Sequence, residues 1–256
     1  MKTQIDQMIF KNKTAIVTGG ASGIGKATVL KFIEHGANVA IIDLDDTAGK
    51  ELIERIRELN MDAIARFYHC NVSDERETRN SMEAVADDFG RLDYAYNNAG
   101  IGGEFAKVQD YPTYDWDKVM AINLKGVFLS MKYEIPHILK QGGAIVNCAS
   151  LLSTVAYEND SAYVASKFGV LGLTKTAALE YANTGLRINA VSPGFTNTPM
   201  VNKGDEEKLK RIAAKHPIGR LAEPEEIAEA VIWLCSDKAS FAVGMNLMMD
   251  GGYTLT

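Results

Sequence analysis

Thr14-Ala15-Ile16-Val17-Thr18-Gly19-Gly20-Ala21-Ser22-Gly23-Ile24-Gly25 is an apolar run of strand length that breaks into a glycine-rich turn, after which apolar residues return at helical spacing. Glycines at 19, 23 and 25 permit a tight turn, close backbone approach to an anion, and close packing of the next helix on the strand. Free N–H groups at such a helix start, together with the positive end of its dipole, bind a pyrophosphate without a cation. The spacing is G-x-x-x-G-x-G and not the common dinucleotide pattern G-x-G-x-x-G, so the turn alone also fits a flexible glycine loop.

The next apolar run, Asn38 to Ile42, ends in Asp43, eighteen residues after Gly25. A carboxylate there accepts hydrogen bonds from adenosine ribose hydroxyls and repels a 2′-phosphate. Leu44 and Asp45 follow it where a phosphate-binding arginine would stand, and Ser22 puts no cation into the glycine turn. The expected cofactor is therefore NAD in preference to NADP.

Outward from these two strands, apolar runs of strand length alternate with longer segments of helical period. Strands are predicted at 14–17, 38–42, 63–67, 92–96, 144–148, 187–191 and 246–249, and helices at 24–35, 46–60, 74–89, 113–139, 161–183 and 224–236. This rhythm specifies an α/β fold, a doubly wound seven-stranded parallel sheet flanked by helices, with no linker to mark a second domain. Gly36, Gly185 and Pro224 stand where helices end or begin, and Pro136 is expected to bend or end its helix. The stretch 193–221 breaks the rhythm, carries a polar helical piece at about 205–215, and reads as a lid.

A length of 256 residues with 46% hydrophobic content suffices for a large core without disulfide or metal staples. A formal charge of −6, with both signs interspersed, argues against nucleic acid or an anionic membrane as partner. Cys70, Cys148 and Cys235 are odd in number and far apart, which suits buried thiols in a reducing compartment. The first ten residues lack a signal-peptide core and no run approaches a membrane span, so the expected location is cytoplasmic. His35, His69, His137 and His216 lack metal-ligand spacing, and no metal is expected. Met245, Met248 and Met249 read as core residues of the last strand.

A second pattern, Tyr163-Val164-Ala165-Ser166-Lys167, sets a phenol and an ammonium one helical turn apart. Another Tyr-x-x-x-Lys occurs at Tyr114 and Lys118, so position must decide between them. Tyr163 lies thirteen residues after Ser150, at the end of the fifth strand, and opens the following helix. Both then reach the carboxyl edge of the sheet, where doubly wound folds bind ligands. The Tyr114 pair has no strand-end serine before it and reads as a solvated helix start. An ammonium about 5 Å from the phenol, at an effective dielectric of about 20, contributes on the order of 3 kcal/mol and lowers the phenol pKa by about two units. The positive ring of an oxidised nicotinamide would act in the same direction, bringing Tyr163 toward the pH range where a general acid and base works best.

On these residues the chain resembles the classical short-chain dehydrogenase/reductase family over nearly its whole length. The matching pieces occur in order: Thr18 to Gly25, Asn97-Asn98-Ala99-Gly100, Asn123, Ser150, Tyr163 with Lys167, and Pro193-Gly194. The resemblance implies a single Rossmann domain over 1–256, NAD(P)-dependent oxidation or reduction and a homotetramer. It implies cofactor contacts from Gly19, Ser22, Gly23, Ile24 and Gly25, from Asp43 and Leu44, and from Asn71 and Val72 near the adenine. Further contacts are implied for Asn98, Ala99 and Gly100, and for Pro193, Gly194, Thr196 and Thr198 at the nicotinamide. Asn71 replaces the aspartate usual in the family, keeping an amide and losing a charge. By the family's mechanism Tyr163 takes the alcohol proton as hydride leaves for nicotinamide C4, and returns it in reduction. Ser150 hydrogen-bonds the substrate oxygen, Lys167 also binds the nicotinamide ribose, and Asn123 holds a water that links the lysine to solvent. Ser153 is the nearby rival of Ser150.

Gly102, Leu152, Tyr157, Phe195 and Met200, with Ile101, Phe105 and Leu151 beside them, form a mostly apolar candidate pocket. The lining suits an uncharged secondary alcohol or ketone, while Glu104, Glu158 and Asp160 keep a sugar, polyol or amino alcohol open. Apolar positions on 113–139 and 161–183 exceed what one sheet face needs, in line with a tetramer. A catalytically silent NAD-binding regulator would keep the glycine turn and Asp43 without needing Ser150, Tyr163 and Lys167 together. A methyltransferase would not need the tyrosine pair, and a sugar-nucleotide epimerase needs a larger substrate region.

Overall fold

The computed structural model describes residues 8–59, 61–201 and 206–255. Seven parallel strands, β1 (Thr14–Thr18), β2 (Asn38–Asp43), β3 (Ala65–His69), β4 (Tyr94–Asn97), β5 (Gly143–Cys148), β6 (Leu186–Pro193) and β7 (Asn246–Met249), lie in the order β3-β2-β1-β4-β5-β6-β7. The helices are α1 (Gly23–Glu34), α2 (Asp46–Glu58), α3 (Glu75–Phe89), α4 (Thr113–Met120), α5 (Gly126–Ile138), α6 (Ser161–Tyr181), α7 (Glu206–Ala214) and α8 (Pro224–Cys235).

The central strands read as unbroken apolar runs because helices cover both faces of the sheet. Side chains alternate across it: Val17, Val39 and Ile41 pack with Phe32, Ile33 and Val231 from α1 and α8. Ile16, Ala40 and Ile42 face the other way, into Met82, Val85, Met131 and Ile135 of α3 and α5.

Several boundaries depart from the expectations. The third strand begins at Ala65 and not 63, because β3 is an edge strand and its burial alternates weakly. The predicted 113–139 helix is interrupted by a π-helical turn, Ala121–Lys125, between α4 and α5. Pro136 lies inside α5, which stops two residues later at Ile138. The methionines divide: Met245 precedes β7 and is 37% exposed, Met248 is half-buried on the edge strand opposite β3, and Met249, also half-buried there, packs against the core. Within the stretch 193–221, α7 covers 206–214, and residues 202–205 lie outside the described residues. All three cysteines are buried free thiols. Among the described residues no helix is long and apolar enough to cross a membrane, and no cluster of three or more His, Cys, Asp or Glu could hold a metal.

Two buried polar assemblies stiffen the sheet. Arg187, near the start of β6, donates to the carbonyls of Leu234 (2.7 Å), Ala239 (3.1 Å), Cys235 (3.1 Å) and Ser236 (3.1 Å), satisfying the C-terminal end of α8 and the turn after it. Between the sheet and α5, Asn97 Nδ2 donates to Glu134 Oε2 and to Asn147 Oδ1, both at 3.0 Å, and Asn147 Nδ2 donates to Thr174 Oγ1 at 2.9 Å. Glu134 is fully buried and its Oε1 has no partner. Burial pushes its carboxyl up to about 8.

Candidate active site

Strand order reverses between β1 and β4, which are paired with Thr18 opposite Asn97. At such a switch point the loops leave in opposite directions and open a crevice at the carboxyl edge. The glycine turn, residues 97–100, Ser150 and the stretch after Pro193 all leave the sheet at this edge.

The glycine turn is shaped by contacts that admit no side chain. Gly19 has φ +60°, and a Cβ there would lie 2.9 Å from Ala99 Cα, while one on Gly25 would lie 2.0 Å from the Gly19 carbonyl oxygen. Asn98 Nδ2 donates to the Thr18 (3.2 Å) and Gly19 (3.0 Å) carbonyls, and the Asn98 and Ala99 N–H groups donate to Thr18 Oγ1. The Asn98 side chain is thus spent on fixing the turn. Ser22 at the N-cap makes no side-chain cap bond and the first turn of α1 has no acidic residue, which leaves its N–H groups and dipole for an anion. Asp43, at the tip of β2, accepts from Ala21 N–H (2.9 Å) and Leu44 N–H (2.7 Å), so its carboxylate is held against the turn. Asn71 Oδ1 accepts from the Ser73 N–H and hydroxyl, and Val72 is buried against Gly126. Thr196 and Thr198 are buried, and Thr198 Cγ2 would lie 3.3 Å from a Cβ on Gly23. A cradle closed to side chains, a bare helix start and an anchored carboxylate fit a dinucleotide.

The four expected catalytic side chains gather next to this cradle. Lys167 is buried, donates to the Cys148 carbonyl at 2.7 Å, and its Nζ lies 5.6 Å from the Tyr163 ring centroid. The Ser150 hydroxyl accepts from Leu152 N–H at 3.1 Å, and its side chain lies beside the Tyr163 phenol. Ser153 is no rival: its hydroxyl donates to the Ser150 carbonyl and meets Ser192 Oγ at 3.2 Å. Asn123 sits in the π turn, fully buried, where its amide clamps Ile101 in both directions, accepting from its N–H and donating to its carbonyl, each at 2.9 Å. Its Nδ2 also meets Ser166 Oγ at 3.3 Å, which donates to the Tyr163 carbonyl at 2.7 Å. Ser166, unsuspected from sequence beyond its place inside the Tyr163 motif, therefore ties the asparagine to the tyrosine.

Burial raises the Tyr163 phenol above its ordinary value and lowers the Lys167 amine, because desolvation disfavours both charged forms. This acts against the attraction expected from the lysine and an oxidised nicotinamide.

The pocket candidates divide. Tyr157 packs edge-on against Phe105 (6.3 Å) and Phe195 (6.2 Å), and Phe195 against His216 (5.8 Å), so an aromatic arch joins three loops. Lys215, just after α7, lies over the Tyr157 ring at 4.8 Å. Leu152 is buried, Met200 is half exposed, and a Cβ added at Gly102 would meet no atom within 4 Å among the described residues beyond its chain neighbours. Tyr114 of the second Tyr-Lys pair is 71% exposed and away from this group, as expected of a solvated helix start. Two cavities of about 520 and 340 Å³ lie beside the C-terminal turn; their linings share Met248, Asp250 and Gly252 and include neither Ser150 nor Tyr163.

Residues 19–254 match the family model described as enoyl-(acyl carrier protein) reductase. The chain is also 43% identical over 246 residues to a cyclohexanol dehydrogenase of Acinetobacter sp. (strain SE19), covering 96% of each. The chain belongs to the short-chain dehydrogenase/reductase family. Within it, a cis-4-hydroxycyclohexanecarboxylate dehydrogenase of Sinomonas cyclohexanicum is 42% identical, with 96% of this chain and 98% of that protein covered. The crystal structure of levodione reductase superposes with a TM-score of 0.93 at 34% identity, covering 96% of this short-chain dehydrogenase/reductase and 99% of that chain.

Proposed function

We propose that this protein is an NAD-dependent dehydrogenase and ketoreductase that interconverts an uncharged secondary alcohol and its ketone. The observation that carries the reading is the convergence of Ser150, Tyr163 and Lys167 beside the glycine cradle at one crevice. Gly19, Ser22, Gly23, Ile24 and Gly25 would receive the pyrophosphate, Asp43 and Leu44 the adenosine ribose, and Asn71 and Val72 the adenine side. Ala99 and Gly100 would flank the cofactor, and Pro193, Gly194, Thr196 and Thr198 would hold the nicotinamide end. Bound nicotinamide supplies a hydride acceptor or donor at C4 and, when oxidised, a positive charge.

Tyr163 Oη removes the alcohol proton in oxidation and delivers it in reduction. The Ser150 hydroxyl, already accepting from Leu152, is free to donate to the substrate oxygen and to steady charge developing there. Lys167 Nζ is fixed by Cys148 O beneath the phenol, where its cationic form favours phenolate. The Asn123 amide is committed to Ile101 and Ser166, so a water of the proton relay would be held by the backbone of the π turn rather than by this side chain. Its side chain acts as a positioning group for Tyr163 and for the start of the substrate loop.

The names of the two curated relatives point to ring-borne secondary alcohols, in keeping with the aromatic arch. Asp43 favours NAD, since a 2′-phosphate would meet an anchored carboxylate. Apolar side chains left open on α5 and α6 (Phe128, Phe168, Leu179) and near the C-terminus (Trp233, Phe241, Leu255) support a homotetramer built on two faces. Buried free thiols accord with the cytoplasm. A panel of cyclic and acyclic secondary alcohols and ketones, followed at the nicotinamide absorbance with NAD(H) and NADP(H), tests the reading. Turnover of ring alcohols with NAD is expected; no turnover of any substrate with either cofactor would overturn it.

A further inference from the structure

Asp160 stands at the N-cap of α6, where an aspartate ordinarily accepts from the first N–H groups of the helix. Here the carboxylate makes no such bond. The residue is 7% exposed, its Oδ1 has no hydrogen-bond partner, and the buried hydroxyl of the adjacent Ser161 has none either. No cation balances it among the described residues; burial alone acts on the carboxyl and pushes it up to about 6. A buried acceptor left without a donor is costly, so a group that brings the donor gains binding free energy there.

The surroundings say which molecule could bring it. Ala106 bridges Asp160 and its N–H donates to the Asn159 carbonyl at 2.9 Å, so the carboxylate lies where the loop after β4 meets the loop after β5. Both loops border the crevice of Tyr163, which is three residues further along α6 and feels the Asp160 charge. Tyr111 also feels that charge, but its hydroxyl is engaged with Asp115 Oδ2 at 2.8 Å and does not serve Asp160.

We infer that Asp160 is a specificity-determining residue that accepts a hydrogen bond from a second hydroxyl of the substrate, so that diols and their hydroxyketones are preferred over simple secondary alcohols. The inference rests on the alcohol-ketone chemistry proposed above. The reacting carbinol would lie between Ser150 and Tyr163, with the second hydroxyl turned to the start of α6. If Asp160 acted only by raising the phenol pKa, it would affect every alcohol alike and leave the diol-to-monool ratio unmoved.

Specificity constants for cyclohexanol, the three cyclohexanediol regioisomers and 2-aminocyclohexanol, measured with both cofactors for wild type, Asp160→Ala and Asp160→Asn, test this. One hydrogen bond to a charged group corresponds to roughly a ten- to hundredfold preference. Wild type should favour at least one diol over cyclohexanol by about tenfold or more, and the ratio should collapse in whichever variants fold by circular dichroism. A wild-type ratio near one, or a ratio unchanged in a folded variant, overturns the inference while cyclohexanol turnover leaves the enzyme reading standing. Preference for the amino alcohol over every diol overturns the choice of hydroxyl as the donor. Absence of turnover with all five substrates and both cofactors removes the enzyme reading and this inference with it.

Discussion

Replacing Glu134 by glutamine should stabilise the protein increasingly as pH rises. In the folded chain this carboxyl is fully buried with a pKa of about 8, against an ordinary 4.5. The folded state therefore holds the Glu134 proton more tightly than the unfolded chain, and the stability owed to this group falls as pH climbs from about 4.5 to about 8. The slope approaches 1.4 kcal/mol per pH unit, so the cost is about 3 kcal/mol at pH 7 and levels off near 5 kcal/mol above pH 8. Glu134→Gln keeps the shape and an acceptor for Asn97 Nδ2 but removes the titration. Urea unfolding of both proteins at pH 5, 6, 7 and 8 reads the difference directly, with slopes from other groups cancelling. The expected result is near equality at pH 5 and a gain of several kcal/mol for the variant at pH 8. A difference that stays flat with pH would refute the argument, because it would mean that Glu134 has the same pKa in both states.

Tyr163→Phe should lower kcat by roughly 10²- to 10⁴-fold, the range for loss of a general acid or base, with NADH affinity by fluorescence changed less than about threefold; a tenth of the wild-type rate would contradict its role. Asp43→Asn should raise the NADP-to-NAD ratio of kcat/KM by about tenfold or more through loss of a like charge at the 2′ position. An unmoved ratio would place cofactor choice elsewhere. Leu179→Asp, at a site 81% exposed on α6, should break one apolar face and halve the mass seen by light scattering; a wild-type monomer at micromolar concentration would dispose of the tetramer.

Much of the scaffold is legible in the residue order because it depends on period and punctuation. The seven strands and five of the six expected helices follow from apolar runs bounded by glycine and proline, the remaining helix is split at the π turn, and β7 falls on its expected residues. The doubtful places are physical in origin. β3 slid by two residues because an edge strand is buried on only part of its surface and its alternation is weak. The π turn around Asn123 could not be read, since residues 113–139 carry a continuous helical pattern and the bulge is set by the tertiary bond to Ile101. Strand-end position places Ser150 and the start of the Tyr163 helix at one edge of the sheet, whereas the desolvation of the phenol is not legible, because spacing carries the neighbouring charge but not the loss of water. The isolation of Asp160 and Glu134 is likewise a property of the packed interior, invisible in a chain where acidic residues are common.

The single guanidinium of Arg187 serves the carbonyls of four residues at the far end of β6. Its five N–H groups form a fixed planar fork that a lysine cannot copy, so loss of this side chain strands several acceptors simultaneously. That strand carries Pro193 at its other end, so tolerance to genetic change at a site remote from the crevice is governed by how rigidly the crevice floor is bolted down.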